Sequence, residues 1–185
     1  MKKGILFGLL FFALAACASL QTQAQTETKG SVLAIRVNDI DTTKTDDTTL
    51  VGYVFMEHYK STSIDLSGKE HTFEMTEYIP TMDEVREAEN LLNKKYRKIM
   101  PGEKVGINTY RRPPLDSYVR QYIFGVASDG KRYVWINAIS IKETWLMDDI
   151  KKRIVHVRDG GNAFWRTLLN LDDGTMVSNV VNGEA

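Results

Sequence analysis

Three histidines are the side chains of this sequence best suited to acid–base chemistry near neutral pH. They are His58, His71 and His156, and histidine is the side chain whose ordinary pKa lies nearest neutrality. A zinc site needs at least three protein ligands, yet no H-x-x-x-H or H-E-x-x-H spacing occurs here. We therefore predict surface histidines or structural, hydrogen-bonded ones, with no metal ligand among them.

Acidic and glycine-rich stretches are the next candidates for a site. Residues 38–49 contain four aspartates but lack the glycine and alternating acids of a calcium loop, so we predict a solvated loop. Asp159-Gly160-Gly161 is typical of a turn with positive φ angles. No G-x-S-x-G, G-x-G-x-x-G or P-loop motif is present. The sequence thus predicts no catalytic residue and no cofactor-binding residue.

The single cysteine, Cys17, follows a pattern typical of an export signal. Lys2 and Lys3 precede an apolar run at residues 5–16 that contains no charge, as in the n-region and h-region of a signal peptide. The run is shorter than the roughly 20 residues that a membrane-spanning helix needs. One cysteine also excludes an internal disulfide bond.

The end of this run, Leu14-Ala15-Ala16-Cys17, resembles the lipobox of bacterial lipoproteins. The resemblance implies a signal peptide at residues 1–16 and lipid attachment, palmitate included, at Cys17, which would become the first residue. Ala18 is not aspartate, and by resemblance to the enterobacterial sorting rule this favours the outer membrane. Cleavage after Ala24 is the alternative, and it would release a secreted or periplasmic protein without the anchor.

Composition describes the rest of the chain. The 185 residues carry 24 basic and 24 acidic side chains and are 43% hydrophobic. Loss of Lys2 and Lys3 with the signal leaves a net charge of −2, which argues against nucleic-acid binding. Residues 17–30 are rich in Gln, Thr and Ser, and we expect a flexible, lipid-anchored tether. Residues 31–185 have the usual size of one domain.

One strong amphipathic helix is expected at residues 81–100. Thr81 and Glu84 form a capping box, and Pro101-Gly102 ends the helix. Apolar residues recur every three or four positions and predict one buried stripe: Val85, Ala88, Leu92, Tyr96 and Ile99.

Strands are expected on both sides of this helix. Residues 31–80 contain three predicted strands, at 31–37, 50–59 and 70–78. Residues 117–182 contain five more, joined mostly by short turns, at 117–127, 131–141, 152–158, 163–171 and 175–182. One helix followed by such an antiparallel meander predicts an α+β fold, with the helix packed on a curved sheet.

This order of elements resembles the cystatin-like and NTF2-like folds. The hairpin Val157-Arg158-Asp159-Gly160-Gly161-Asn162-Ala163-Phe164-Trp165 also resembles a V-x-D-G-G-x-x-F-W hairpin of small exported bacterial proteins. Neither resemblance implies a particular chemistry, because these folds host both enzymes and binding modules.

The leading functional hypothesis is a non-enzymatic binding or interaction lipoprotein of the cell envelope. Trp145, Leu146 and Met147 lie between two predicted strands and are a candidate interaction surface for a protein or small ligand; the alternative is that they fold back onto the core. A small NTF2-like enzyme, with acids or His156 as the base in a pocket between helix and sheet, is the second hypothesis. An inhibitor or immunity-type envelope protein is the third.

Overall fold

The computed structural model describes residues 30–64, 68–104 and 110–183. The predicted signal peptide, Cys17 and nearly all of the tether therefore lie outside the described residues. Within them, no helix is long and apolar enough to cross a membrane. The helices are α1 (Val37–Ile40), α2 (Met82–Ile99) and α3 (Met147–Ile150), and the strands are β1 (Ser31–Arg36), β2 (Leu50–Phe55), β3 (Tyr59–Ile64), β4 (Glu70–Glu77), β5 (Glu103–Lys104), β6 (Tyr110–Arg111), β7 (Tyr118–Ala127), β8 (Arg132–Ser140), β9 (Phe164–Asn170) and β10 (Thr175–Val181).

Eight of these strands form one open sheet, which confirms the α+β class. The main path runs β1-β2-β7-β8-β9-β10, and β3 joins it through β4. One edge of β7 is shared: its first half pairs in parallel with β2, and its second half pairs antiparallel with β4. The strands of residues 31–80 are therefore part of the main sheet, which is mixed and not purely antiparallel.

Glycine permits the parallel pairing of β2 with β7. A Cβ atom at Gly52 would collide with the Arg120 carbonyl oxygen and would lie 2.7 Å from the Tyr122 ring. A larger residue would therefore push β2 away from the centre of the sheet.

The predicted meander is confirmed for four strands and wrong for the fifth. β7, β8, β9 and β10 pair in sequence order, but residues 152–158 form no strand. Residues 152–157 belong to a cover segment, residues 144–157, that crosses the sheet face opposite α2. The sequence does not predict β3 as a separate strand, because YKSTSI is polar. In the structure its side chains are mostly exposed.

Helix α2 begins as the capping box predicts. Thr81 Oγ1 accepts a hydrogen bond from the Glu84 amide, and Glu84 Oε2 accepts one from the Thr81 amide at 2.8 Å. All five residues of the predicted stripe are buried. They pack on Tyr122, Phe124 and Trp165 of the sheet and form the helix-side core.

Two buried amide side chains hold the cover segment on the other face. Gln121 donates to the carbonyl oxygens of Ile150 and Arg153, both at 2.7 Å, and accepts from the Val155 amide at 2.9 Å. Asn137 donates to the Val155 backbone carbonyl oxygen at 2.8 Å and to the side-chain oxygen Oε1 of Gln121 at 2.9 Å. These bonds replace the ladder that a strand would have made, since backbone groups buried here need partners.

The Asp159-Gly160-Gly161 sequence forms a structural corner. Gly160 and Gly161 have φ angles of 95° and 55°, in the left-handed region that glycine tolerates best. Asn182 closes the corner by donating to the carbonyl oxygens of Val157 and Asp159 at 2.7 and 3.0 Å. The turn that was predicted is present, and a 3₁₀ turn at Gly161–Ala163 leads from it into β9.

Candidate functional site

A cavity lies between α1, α2 and the first residues of β2 and β7. Its volume is about 190 Å³, which is smaller than the usual site for a drug-sized ligand. Five apolar side chains form much of its wall: Val37, Ile40, Leu50, Val51 and Leu115. The cavity therefore has room for a small molecule with an apolar body.

The floor of this cavity is a buried ionic cluster. Glu89 of α2 and Arg120 of β7 are 3% and 4% exposed. Arg120 Nε and Nη2 each donate to a different Glu89 oxygen at 3.1 Å, and the Tyr122 hydroxyl donates to Glu89 Oε1 at 2.6 Å. Such two-pronged pairing fixes the geometry of both side chains.

The backbone completes the set of partners of Arg120. Its Nη1 donates to the carbonyl oxygens of Leu115 and Tyr118 at 2.9 and 3.2 Å. The guanidinium thus binds the residues that lead into β7 as well as the helix. This arrangement connects α2, β7 and the wall residue Leu115 through one side chain.

Electrostatics keep Arg120 charged and Tyr122 neutral. Burial acts to lower the pKa of Arg120, but its Tyr122 and Glu89 partners outweigh this effect and raise that pKa above its ordinary value. Burial raises the pKa of Tyr122 well above its ordinary value, so the phenol stays neutral and can donate. The floor therefore presents a bound carboxylate–guanidinium pair.

The remaining polar lining of the cavity is acidic and neutral. Asp41 and Asp116 supply carboxylates, and Thr49 and Asn93 supply a hydroxyl and an amide. A hydrogen bond from the Thr43 hydroxyl lowers the pKa of Asp41, so this group is ionised at neutral pH. Because Glu89 and Arg120 offset each other, the two aspartates give the lining a net negative charge.

The sequence contained a signal for Glu89 that the prediction did not use. Glu89 lies four residues after Val85 and three before Leu92, which places a charged residue inside the apolar stripe. Arg120 likewise alternates with Tyr118 and Tyr122 on β7 and so shares their buried face. A charge on the buried face of each element indicates that the two are partners.

The histidines are not brought together. His58 contacts the carboxylates of Glu74 and Glu77 at 2.8 and 3.7 Å on the surface. His71 of β4 lies opposite Ser63 in the strand register of the β3–β4 hairpin. His156 is exposed in the cover segment. Among the described residues, no group of three His, Cys, Asp or Glu side chains is arranged to hold a metal ion.

The candidate surface around Trp145 divides between the inside and the outside of the protein. Trp145 is 67% exposed, and its Nε1 donates to Glu143 at 2.8 Å. Leu146 is 3% exposed and packs with Ile150 beneath the cover segment, while Met147 is half-buried beside them. The segment folds back onto the core, and Trp145 is the member of the trio that faces solvent.

Comparison with known proteins adds no relative. No family model, curated protein or solved structure matches the chain.

Proposed function

We propose that this chain is a non-enzymatic binding lipoprotein of the bacterial envelope, anchored through Cys17 and carrying its ligand in the cavity above Glu89 and Arg120. The anchor is supported by the Leu14-Ala15-Ala16-Cys17 pattern, and the outer membrane is the favoured location because Ala18 follows the cysteine. A helix packed across a sheet, with a pocket between them, supports a cystatin-like or NTF2-like assignment of the domain.

The observation that carries this proposal is the chemistry of the cavity. Its wall is apolar, its floor is an internally paired ion pair, and its remaining charges are the carboxylates of Asp41 and Asp116. A small organic amine matches this lining, because the apolar part can contact the wall while the ammonium group faces the carboxylates. The ligand class that we propose is therefore a small amine with an aliphatic body.

Binding fits this lining better than catalysis does. General acid–base catalysis needs a group that is free to exchange a proton, yet Glu89 already accepts hydrogen bonds from Arg120 and Tyr122. The described lining includes no histidine, cysteine, lysine or serine. The carboxylates of Asp41 and Asp116 can hold a ligand by charge without exchanging a proton with it.

Thermal unfolding in the presence of n-hexylamine tests the ligand class. At a concentration about tenfold above its Kd, the amine should stabilise the protein by about 1.4 kcal/mol, which raises Tm by roughly 3 °C. Asp116→Asn should reduce this shift, whereas Asp148→Asn on the opposite face should preserve it. An equal shift with hexanoate, which has the same chain and the opposite charge, would contradict the proposal.

Metabolic labelling with a palmitate analogue tests the anchor. The full chain should be labelled in bacterial cells and its Cys17→Ala variant should not, because the thiol is the expected attachment atom. Equal labelling of both would reject lipidation at this residue and would leave the ligand proposal untouched.

A small enzyme of NTF2-like type is the second candidate, and one observation favours it. A carboxylate, Glu89, lies buried in a pocket between helix and sheet, where such an enzyme would hold its catalytic acid or base. Incubation with an envelope metabolite extract, followed by mass spectrometry, separates the two candidates. Consumption of a metabolite by the wild type and by Asp148→Asn, but not by Asp116→Asn, would support the enzyme. Binding of a metabolite without its conversion would support the binding lipoprotein.

A further inference from the structure

The chain enters the domain beside a cluster of basic residues. The Ser31 amide donates to the Lys151 carbonyl oxygen at 2.9 Å. A Cβ atom at Gly30 would lie 2.9 Å from that oxygen and 3.5 Å from the Lys152 Cα atom. The point at which the proposed tether reaches the fold is therefore in contact with the cover segment.

The outer side of the cover segment combines an aromatic ring with positive charge. Trp145, Lys151, Lys152 and Arg153 are exposed, whereas Leu146 and Ile150 face inward. Tryptophan and lysine are side chains that favour the interface between bilayer and water.

The acids of this stretch have identifiable roles. Glu143 accepts the indole hydrogen of Trp145, and Asp149 pairs with Arg153 at 2.6 Å. Asp148 is also exposed and subtracts one charge. Lys151 and Lys152 are thus the main positive charges beside the start of β1.

We propose that the outer side of the cover segment docks on the anionic phospholipid surface of the membrane that holds the anchor. The inference rests on the proposed function, because the tether supplies the proximity. Only 14 residues, Cys17 to Gly30, separate the proposed lipid attachment from the start of β1. The segment therefore remains close to the headgroups, where Lys151 and Lys152 attract phosphates and Trp145 enters the interface.

Docking in this way directs the cavity away from the bilayer. Arg120 lies at the cavity floor on the α2 side of β7, whereas the adjacent Gln121 binds the cover segment on the opposite side. Successive side chains of a strand point to opposite faces of a sheet. The membrane face and the ligand site are consequently on opposite faces of the same sheet.

Tryptophan fluorescence gives a direct test, because Trp135 and Trp165 are 6% and 0% exposed and only Trp145 faces solvent. The sample is the unlipidated chain that begins at Ala18, which keeps every residue of the three hydrophobic clusters. Vesicles containing phosphatidylglycerol should shift its emission to shorter wavelength. Phosphatidylcholine vesicles should leave it unchanged, and added salt should weaken the effect.

Paired variants identify the residues responsible. Lys151→Gln/Lys152→Gln should weaken vesicle binding about 30-fold, since each lysine near an anionic surface contributes about fivefold. Lys94→Gln/Lys98→Gln makes the same charge change on the exposed side of α2 and should bind like the wild type.

Three results would overturn the docking surface: no shift with anionic vesicles, an equal shift with neutral ones, or an equal loss in both double variants. Because this sample carries no lipid, its result is separate from the labelling of Cys17. Docking can therefore fail while lipidation holds, and the reverse is also true.

Discussion

Replacing Glu89 by Gln removes one charge from the buried cluster and leaves the other in place. Arg120, 4% exposed, would keep its positive charge without a counterion. Breaking a buried ion pair from one side costs about 3–5 kcal/mol, and a domain of this kind has roughly 5–15 kcal/mol of total stability. The glutamine keeps one acceptor oxygen, so we expect a loss of about 3 kcal/mol in the free energy of unfolding.

Removing Arg120 should cost more than removing Glu89. Arg120→Met strands the carboxylate and also removes the side-chain hydrogen bonds to the carbonyl oxygens of Leu115 and Tyr118, of which the Leu115 oxygen keeps the Tyr118 amide as a donor. Each buried polar group left unpaired adds about 1–3 kcal/mol. The double variant Glu89→Gln/Arg120→Met removes both charges, and its loss should be smaller than the sum of the two single losses by about 1–3 kcal/mol.

Urea unfolding followed by circular dichroism measures these free energies. Glu87→Gln is the matched control, because Glu87 lies on the same helix, is 43% exposed and pairs with Arg132 at the surface at 3.2 Å. Its loss should stay below about 1 kcal/mol. A Glu89→Gln variant as stable as the Glu87 control, or single losses that simply add, would refute the buried pair.

Three further substitutions test the packing and the surface charges. Leu92→Asp places an unpaired charge in the helix-side core, where Leu92 is 0% exposed, and should abolish the cooperative thermal transition; a retained transition would contradict the assignment of the stripe. Gly52→Ala should lower Tm by separating β2 from β7, whereas Gly183→Ala, whose Cβ would meet no atom within 4 Å and whose φ is not positive, is the control for an added methyl group and should leave Tm nearly unchanged. Hydrogen bonds from the Arg132 amide and side chain lower the pKa of Asp172, so its stabilisation is present above the unfolded pKa near 3.8 and is lost as pH falls through the lower folded value. Asp172→Asn should reduce the loss in the free energy of unfolding below about pH 4 by a few tenths of a kcal/mol, and an unchanged dependence of this free energy on pH would contradict this role.

Local patterns predicted the parts of the fold that local forces determine. The capping box and the apolar stripe defined α2 to within one residue at its C-terminal end, since both depend on neighbours one helical turn apart. The alternating segments and Asp-Gly turns likewise placed β7 and β8 near their observed bounds. Residues 152–158 have the apolar content of a strand, but buried amides of distant strands hold them as an irregular cover.

The sequence by itself determined the single cysteine, helix α2 and four of the five predicted strands of the meander, because each depends on composition or on contacts between chain neighbours. The export signal at residues 1–16 stays a prediction. Only the tertiary structure decided that Glu89 meets Arg120, residues that are 31 positions apart. It also decided that β2 joins β7 in parallel and that the chain enters the domain beside Lys151. Such pairings are settled by the packing of whole elements, which brings together a charge from each buried face and leaves a cavity above them.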